Sequence, residues 1–102
     1  METLTGLLEA IKLGKHLILE SASRQGDELF RPLVVLLNIE SMLDTGRMLL
    51  EDEAGLQALH EINRGMDEIR AGISAIMQKI DKRDLEHFLQ EQGEKIKSQF
   101  IK

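Results

Sequence analysis

The clearest pattern in this sequence lies in residues 59–80, LHEINRGMDEIRAGISAIMQKI. Apolar side chains recur there at alternating spacings of three and four residues, the heptad pattern of a helix that packs along one seam. Gly65 and Gly72 lie beside this seam, although a glycine inside a helix costs about 1 kcal/mol relative to alanine. They predict a neighbouring helix that packs unusually close; the alternative is that both are tolerated on the surface. The isoleucine seam consists of Leu59, Ile62, Met66, Ile69, Ile73, Ile76 and Ile80.

The stretch upstream, DELFRPLVVLLNIESML at 27–43, is the most apolar part of the chain and contains its single proline, Pro32. Proline inside a helix removes a backbone hydrogen bond and crowds the carbonyl four residues earlier. One apolar stripe nevertheless continues from Ala22 to Leu43. This continuity predicts one long helix over residues 3–44, kinked near Pro32.

The alternative for the same region is two separate helices at 3–24 and 27–44, with Gly26 as a stop and Asp27 as a cap. In either case the dipeptide Thr45-Gly46 predicts a helix end, because glycine just past a helix readily adopts the left-handed cap conformation.

The remainder of the chain gives two further helices. Residues 47–53 are predicted to connect to a third helix at 54–80, and a fourth is predicted at 84–100, with Asp81 or Asp84 as its N-cap. We therefore predict an all-α fold, either an antiparallel helical hairpin or a small up-down bundle.

Composition limits the function classes. The length of 102 residues suits one domain spanning 1–102. The absence of cysteine excludes disulfides and thiolate metal sites and fits a cytoplasmic protein. A net charge of −5 disfavours nucleic acid and anionic lipid. The longest apolar run, 33–37, is far too short for a membrane span, and Met1-Glu2 does not open a signal peptide.

Three histidines, His16, His60 and His87, are the candidates for metal or phosphotransfer chemistry. Only His87 has carboxylates at ligand spacing, Asp84 and Glu91, and three polar residues on one turn are ordinary on a helix surface. The sequence contains neither a nucleophile elbow nor a phosphate-binding glycine loop. We therefore expect no metal, no cofactor and no catalytic residue.

A weak, partial resemblance covers residues 20–80. Glu28, Leu29, Pro32 and Leu33, followed by an apolar run, resemble the phosphoacceptor box in the dimerisation and phosphotransfer hairpin of sensor histidine kinases. Asp27 stands where that family has its phosphoacceptor histidine. The resemblance implies a helical hairpin that keeps the dimer geometry and has lost phosphotransfer.

Three functions follow in order of preference. The first is a non-catalytic interaction module, a regulator or adaptor in signal transduction, that binds a protein partner and forms a homodimer of four-helix type. A helix that is apolar nearly all round is buried on several sides, which is easiest inside an oligomer. The second is an acidic export chaperone that binds an amphipathic helix; the third is a phosphotransfer or metal protein. The predicted interface comprises Leu59, Ile62, Gly65, Met66, Ile69, Gly72, Ile73, Ile76 and Ile80, with Leu33, Leu36 and Leu37.

Overall fold

The computed structural model describes residues 2–50 and 55–100, and this part of the chain is all-α, as predicted. It contains helices α1 (Glu2–Ser21), α2 (Phe30–Leu50), α3 (Leu56–Lys79) and α4 (Lys82–Phe100), with a short 3-10 helix at Gly26–Leu29 before α2.

Helices α1, α2 and α3 form an up-down-up bundle. Helix α2 is antiparallel to α3, because Arg47 donates a hydrogen bond to Asn63 and Arg70 donates one to Glu40, each at 3.2 Å. Helix α1 is antiparallel to α2 in turn, since the start of α1 lies against the end of α2. The small-bundle form of the predicted fold is therefore the one that the chain adopts.

Helices α1 and α3 run parallel and approach each other very closely. A Cβ atom added to Gly65 would lie only 2.5 Å from Cδ1 of Ile11, and one added to Gly72 would collide with Ile18. Carbon atoms in van der Waals contact are about 3.5–4.0 Å apart. The prediction of a close neighbour beside the seam is confirmed, and the alternative of surface glycines is wrong. The close neighbour is α1 of the same chain.

A continuous apolar core lies between these three helices, and the 3-10 helix adds Leu29 to it and α4 adds Phe88. Leu29, Leu33, Leu36, Leu43, Ile62 and Ile69 have no exposed surface. Each such side chain contributes about 1.5–3 kcal/mol when it is removed from water. The core consists of Leu7, Ala10, Ile11, Leu29, Leu33, Leu36, Ile39, Leu43, Leu50, Ile62, Met66, Ile69, Ile73, Ile76, Ile80 and Phe88.

The proline region contains two helices, so the prediction of one kinked helix is wrong. Helix α1 ends at Ser21, Gly26 has a φ of 63° that suits glycine, and the 3-10 helix follows. Pro32 is then the third residue of α2. The first four N–H groups of an α-helix lack an intrahelical partner, so the missing N–H group of proline costs little hydrogen bonding at this position.

The prediction of a helix end at Thr45-Gly46 is also wrong, because α2 continues to Leu50. Gly46 lies inside the helix, where an added Cβ would come within 2.6 Å of Cδ2 of Leu7. Of the predicted connection 47–53, the first four residues are helical and the last three lie outside the described residues.

The boundaries of α3 and α4 agree with the predicted helices to within two residues. Asp81, rather than Asp84, caps α4. Its carboxylate accepts a hydrogen bond of 2.9 Å from the backbone N–H of Arg83, and its carbonyl accepts the first helical bond from Leu85.

Candidate interaction surface

The predicted interface residues lie in the core of the chain's own bundle. In the isoleucine seam, Ile62 and Ile69 are fully buried and Ile80 is only 7% exposed. Leu33 and Leu36 are fully buried as well, whereas Leu37 and Leu59 are partly buried. Helix α1 covers the side of the isoleucine seam that a hairpin of α2 and α3 would leave exposed. The expectation that another chain covers this seam is therefore wrong.

The polar surface of the bundle carries ordinary ion pairs. Lys15 and Glu68 link α1 to α3 at 2.8 Å, and both side chains are about half exposed. Exposed pairs of this kind contribute about 0–1 kcal/mol. They help to fix the register of the two helices, and they do not build a binding site.

Lys79 forms a more specific polar contact at the end of α1. Its ammonium group donates hydrogen bonds to the carbonyls of Ser21 and Ala22, at 3.1 and 3.0 Å. A positive charge near the C-terminal end of a helix is stabilising, and α1 has no basic residue in its own last turn. Lys79 of α3 supplies this charge to α1. This contact fastens α1 onto α3 at one end of the bundle.

The three histidines lie apart from one another on the helices of the described chain. His16 pairs with Glu20 and His87 with Glu91, both at 3.1 Å along one exposed helix face, while His60 is exposed. Asp84 and His87 line a small depression of about 180 Å³. Across residues 2–50 and 55–100, no group of three or more His, Asp or Glu side chains is placed to hold a metal ion.

Helix α4 contacts the bundle through the first half of its length. The ring of Phe88 stacks on that of Phe30 at the start of α2, with centroids 4.7 Å apart and planes inclined by 21°. Phe88 is 8% exposed, and Leu85 is partly buried against the same core. This contact anchors α4 at the end of the bundle where α2 begins.

The second half of α4 is uncovered. Every residue from Gly93 to Gln99 is exposed. Four residues of α4 lie on one helix face, because successive members are four, three and four positions apart in the sequence. Two of them, Leu89 and Ile96, are large apolar side chains that are 43% and 57% exposed. We call this face the α4 stripe; its members are Leu85, Leu89, Gln92 and Ile96.

The α4 stripe did not enter the predicted interface, although its amphipathic pattern is visible in the sequence. Helices α3 and α4 both show apolar residues at helical spacing. This pattern does not indicate which of the two apolar faces is buried by the rest of the chain. The stronger heptad of α3 marks the core, and the weaker face of α4 remains in solvent.

Other large apolar side chains are also exposed, among them Leu19, Met48 and Leu56 at 75%, 64% and 88%. A groove between α1 and α2 is a further apolar feature of the surface. It has a volume of about 560 Å³ and lies at the opposite end of the bundle from the contact between Phe88 and Phe30. Its lining residues are uncharged: Thr3, Gly6, Leu7, Asn38, Ser41, Met42, Thr45, Gly46 and Leu49.

Comparisons with protein-family models, with curated proteins and with solved structures give no match to this chain. Within the described residues, none of the helices combines the length and the apolar character needed to cross a membrane.

Proposed function

We propose that this chain is a non-catalytic protein-interaction module in which a three-helix bundle presents α4 as the binding element. The observation that carries the proposal is the exposure of the α4 stripe, with Leu89 43% and Ile96 57% exposed on one face of a regular helix. An amphipathic helix that lays its apolar face on a partner is a recurrent mode of protein recognition.

The energetics of α4 support the same proposal. Isolated helices shorter than about 12–15 residues are marginal in water, and longer ones gain most of their stability from tertiary packing. Helix α4 has 19 residues but packs on the bundle mainly through Leu85 and Phe88. A partner that covers the α4 stripe would remove further apolar surface from water and stabilise the outer half of the helix.

Site-specific photo-crosslinking in the native host tests this proposal. A photoreactive amino acid replaces Gln92 on the α4 stripe, and the matched control places it at Glu94, two residues away on the opposite side of the helix. We expect protein adducts at position 92 and none at position 94. Equal labelling at both positions, or none at position 92, would contradict the proposal.

The export-chaperone hypothesis is the second candidate, and the uncharged groove between α1 and α2 is the observation that favours it. An apolar groove of this kind suits an amphipathic helix of a partner. Ser41→Arg places a charge in the groove, at an exposed position. Loss of crosslinks at a groove position such as Thr45 in this variant, with those at position 92 retained, would favour the chaperone.

The resemblance to sensor histidine kinases implies a dimerising hairpin without phosphotransfer, and the bundle differs from such a hairpin. Glu28 and Leu29 belong to the 3-10 helix, and Pro32 is the third residue of α2. Helix α1 covers the seam that the resemblance assigns to a second copy. Incubation with a phosphodonor, followed by intact mass measurement, is expected to add no phosphate; an added phosphate on a histidine would favour the third hypothesis.

A further inference from the structure

We propose that the partner of the α4 stripe is a second copy of this chain, and that two α4 helices pair antiparallel about a two-fold axis between Glu91 and Gln92. This inference rests on the proposed function and names the partner of the same surface. Three observations carry it: a glycine inside α4 that has open space around it, the distribution of charge along α4, and the position of one cation and one anion beside the α4 stripe.

Gly93 lies inside α4 with open space around it in the described part of the chain, as Gly6 does inside α1. The glycines Gly14, Gly46, Gly65 and Gly72 each lie against a side chain of a neighbouring helix, so that an added Cβ would meet it at close range. A Cβ on Gly93 would meet no heavy atom within 4 Å in the described part of the chain. This glycine still costs α4 about 1 kcal/mol relative to alanine. A second helix that crosses at Gly93 would give it the role that the other four glycines have.

The charge along α4 selects the antiparallel orientation. Helix α4 opens with Lys82 and Arg83; residues 84–94 then contain four acidic side chains and neither Lys nor Arg, and residues 95–102 contain three lysines and no acid. The helix dipole favours the same distribution in a lone helix, so this polarity does not by itself require a partner. When two such helices pair, however, the antiparallel arrangement places acidic halves opposite basic halves, and the parallel arrangement places like charges together.

Glu86 and Lys97 fix the register. Glu86, Gly93 and Lys97 lie along one edge of the α4 stripe, at spacings of seven and four residues. Glu86 and Lys97 are both exposed, and neither forms an ion pair among the described residues. An axis between Glu91 and Gln92 lies midway between them. Two-fold symmetry then makes Glu86 of each copy face Lys97 of the other, so the contact occurs twice.

The same register packs the apolar side chains. Ile96 of the second copy falls between Leu85 and Leu89, and the two Gly93 residues lie beside the axis where the helices come closest. Phe88, which holds α4 to its own bundle, lies on the other edge of the stripe.

The affinity of this pair is expected to be modest. A pair of helices of 19 residues, about 28 Å long, buries less than the roughly 1,200–2,000 Å² of a typical stable interface. We therefore expect a reversible dimer that forms between about 10 µM and 1 mM.

Charge reversal tests the register in the full-length chain. Sedimentation equilibrium is expected to show that Glu86→Lys and Lys97→Glu each weaken the dimer by about tenfold or more, because two attractive pairs become repulsive. The double variant, and an equimolar mixture of the two single variants, are expected to associate again. Both residues are exposed, so circular dichroism at a protein concentration below the dimer range should show an unchanged melting temperature.

A cysteine scan gives an independent readout, because the chain has no cysteine of its own. Gln92→Cys lies beside the proposed axis and should form a disulfide-linked dimer on mild oxidation, whereas Glu94→Cys, on the opposite side of the helix, should not. A monomer at all concentrations without a linked dimer would overturn this inference. It would leave the proposed function standing if position 92 still crosslinks to another protein. A dimer that is insensitive to both charge reversals would overturn the register and the surface together.

Discussion

Gly65→Ala probes the close packing of α1 on α3 most sharply. The added methyl group would lie 2.5, 2.9 and 2.9 Å from three side-chain carbons of Ile11. Isoleucine is branched at Cβ and restricted at χ1, and Ile11 is only 6% exposed, so its side chain has little freedom to move away. The two helices must therefore separate at this point.

The expected cost combines two opposing terms. Overpacking a well-filled core costs about 1–3 kcal/mol. The gain in helix propensity from glycine to alanine returns about 1 kcal/mol. Gly6→Ala is the matched control, because its Cβ would meet nothing within 4 Å and only the propensity gain remains. Gly65→Ala should therefore be less stable than Gly6→Ala by about 1–3 kcal/mol.

Urea denaturation, followed by far-ultraviolet circular dichroism at one protein concentration, measures this difference. For a domain of this size, 1 kcal/mol corresponds to about 4–8 °C in melting temperature, so thermal unfolding resolves it as well. If Gly65→Ala stabilises the chain as much as Gly6→Ala does, then α1 does not lie against α3 as described and the three-helix core is wrong.

Three other substitutions test separate parts of the fold, each by urea denaturation. Ile62→Ala should cost about 2–5 kcal/mol, because Ile62 is fully buried within one chain; a loss below about 0.5 kcal/mol would place it on the surface. Pro32→Ala should change stability by no more than about 1 kcal/mol, whereas a proline inside a long helix would give a gain of about 3 kcal/mol on removal. Lys79→Met should cost about 1–2 kcal/mol through its two lost hydrogen bonds, and more than the control Lys15→Met, which removes one exposed ion pair. Equal losses in these two lysine variants would contradict the capping role of Lys79.

The helices of this protein were predictable from the sequence where apolar spacing is regular. The isoleucine seam defines α3 almost to its ends, because alternating spacings of three and four residues fit only a helix that is buried on one face. The same pattern indicates that the seam is buried, but it does not indicate which helix buries it. The role of α1 as the covering helix depends on tertiary packing, which residue spacing does not encode.

Glycine and proline were harder to interpret because one residue type serves different purposes. Gly46 was expected to end α2 and instead admits Leu7 against its backbone. Pro32 was expected to kink a long helix, yet a 3-10 helix begins at Gly26 and places the proline in the first turn of α2. In both cases the apolar stripe continues in phase across the feature, so periodicity alone does not distinguish a break from a continuous helix.

The sequence did not predict which apolar face would be exposed. It predicted an association surface on α3, whereas the exposed apolar face that we propose as a binding surface lies on α4, where Ile96 is 57% exposed. The predicted interface on α3 followed from the strongest heptad. In this bundle the fold itself buries the more regular apolar face, that of α3, and leaves part of the weaker apolar face of α4 exposed.

Removal of residues 82–102 tests most directly the claim that α1, α2 and α3 form a self-sufficient core. The truncated chain, 1–81, loses the burial of Phe88 against Phe30, worth about 2–3 kcal/mol, and keeps the whole isoleucine seam. We predict a helical monomer in sedimentation that unfolds cooperatively at a temperature independent of protein concentration. A truncated chain that is unfolded, or whose melting temperature rises with concentration, would show that the seam needs cover from outside the three helices.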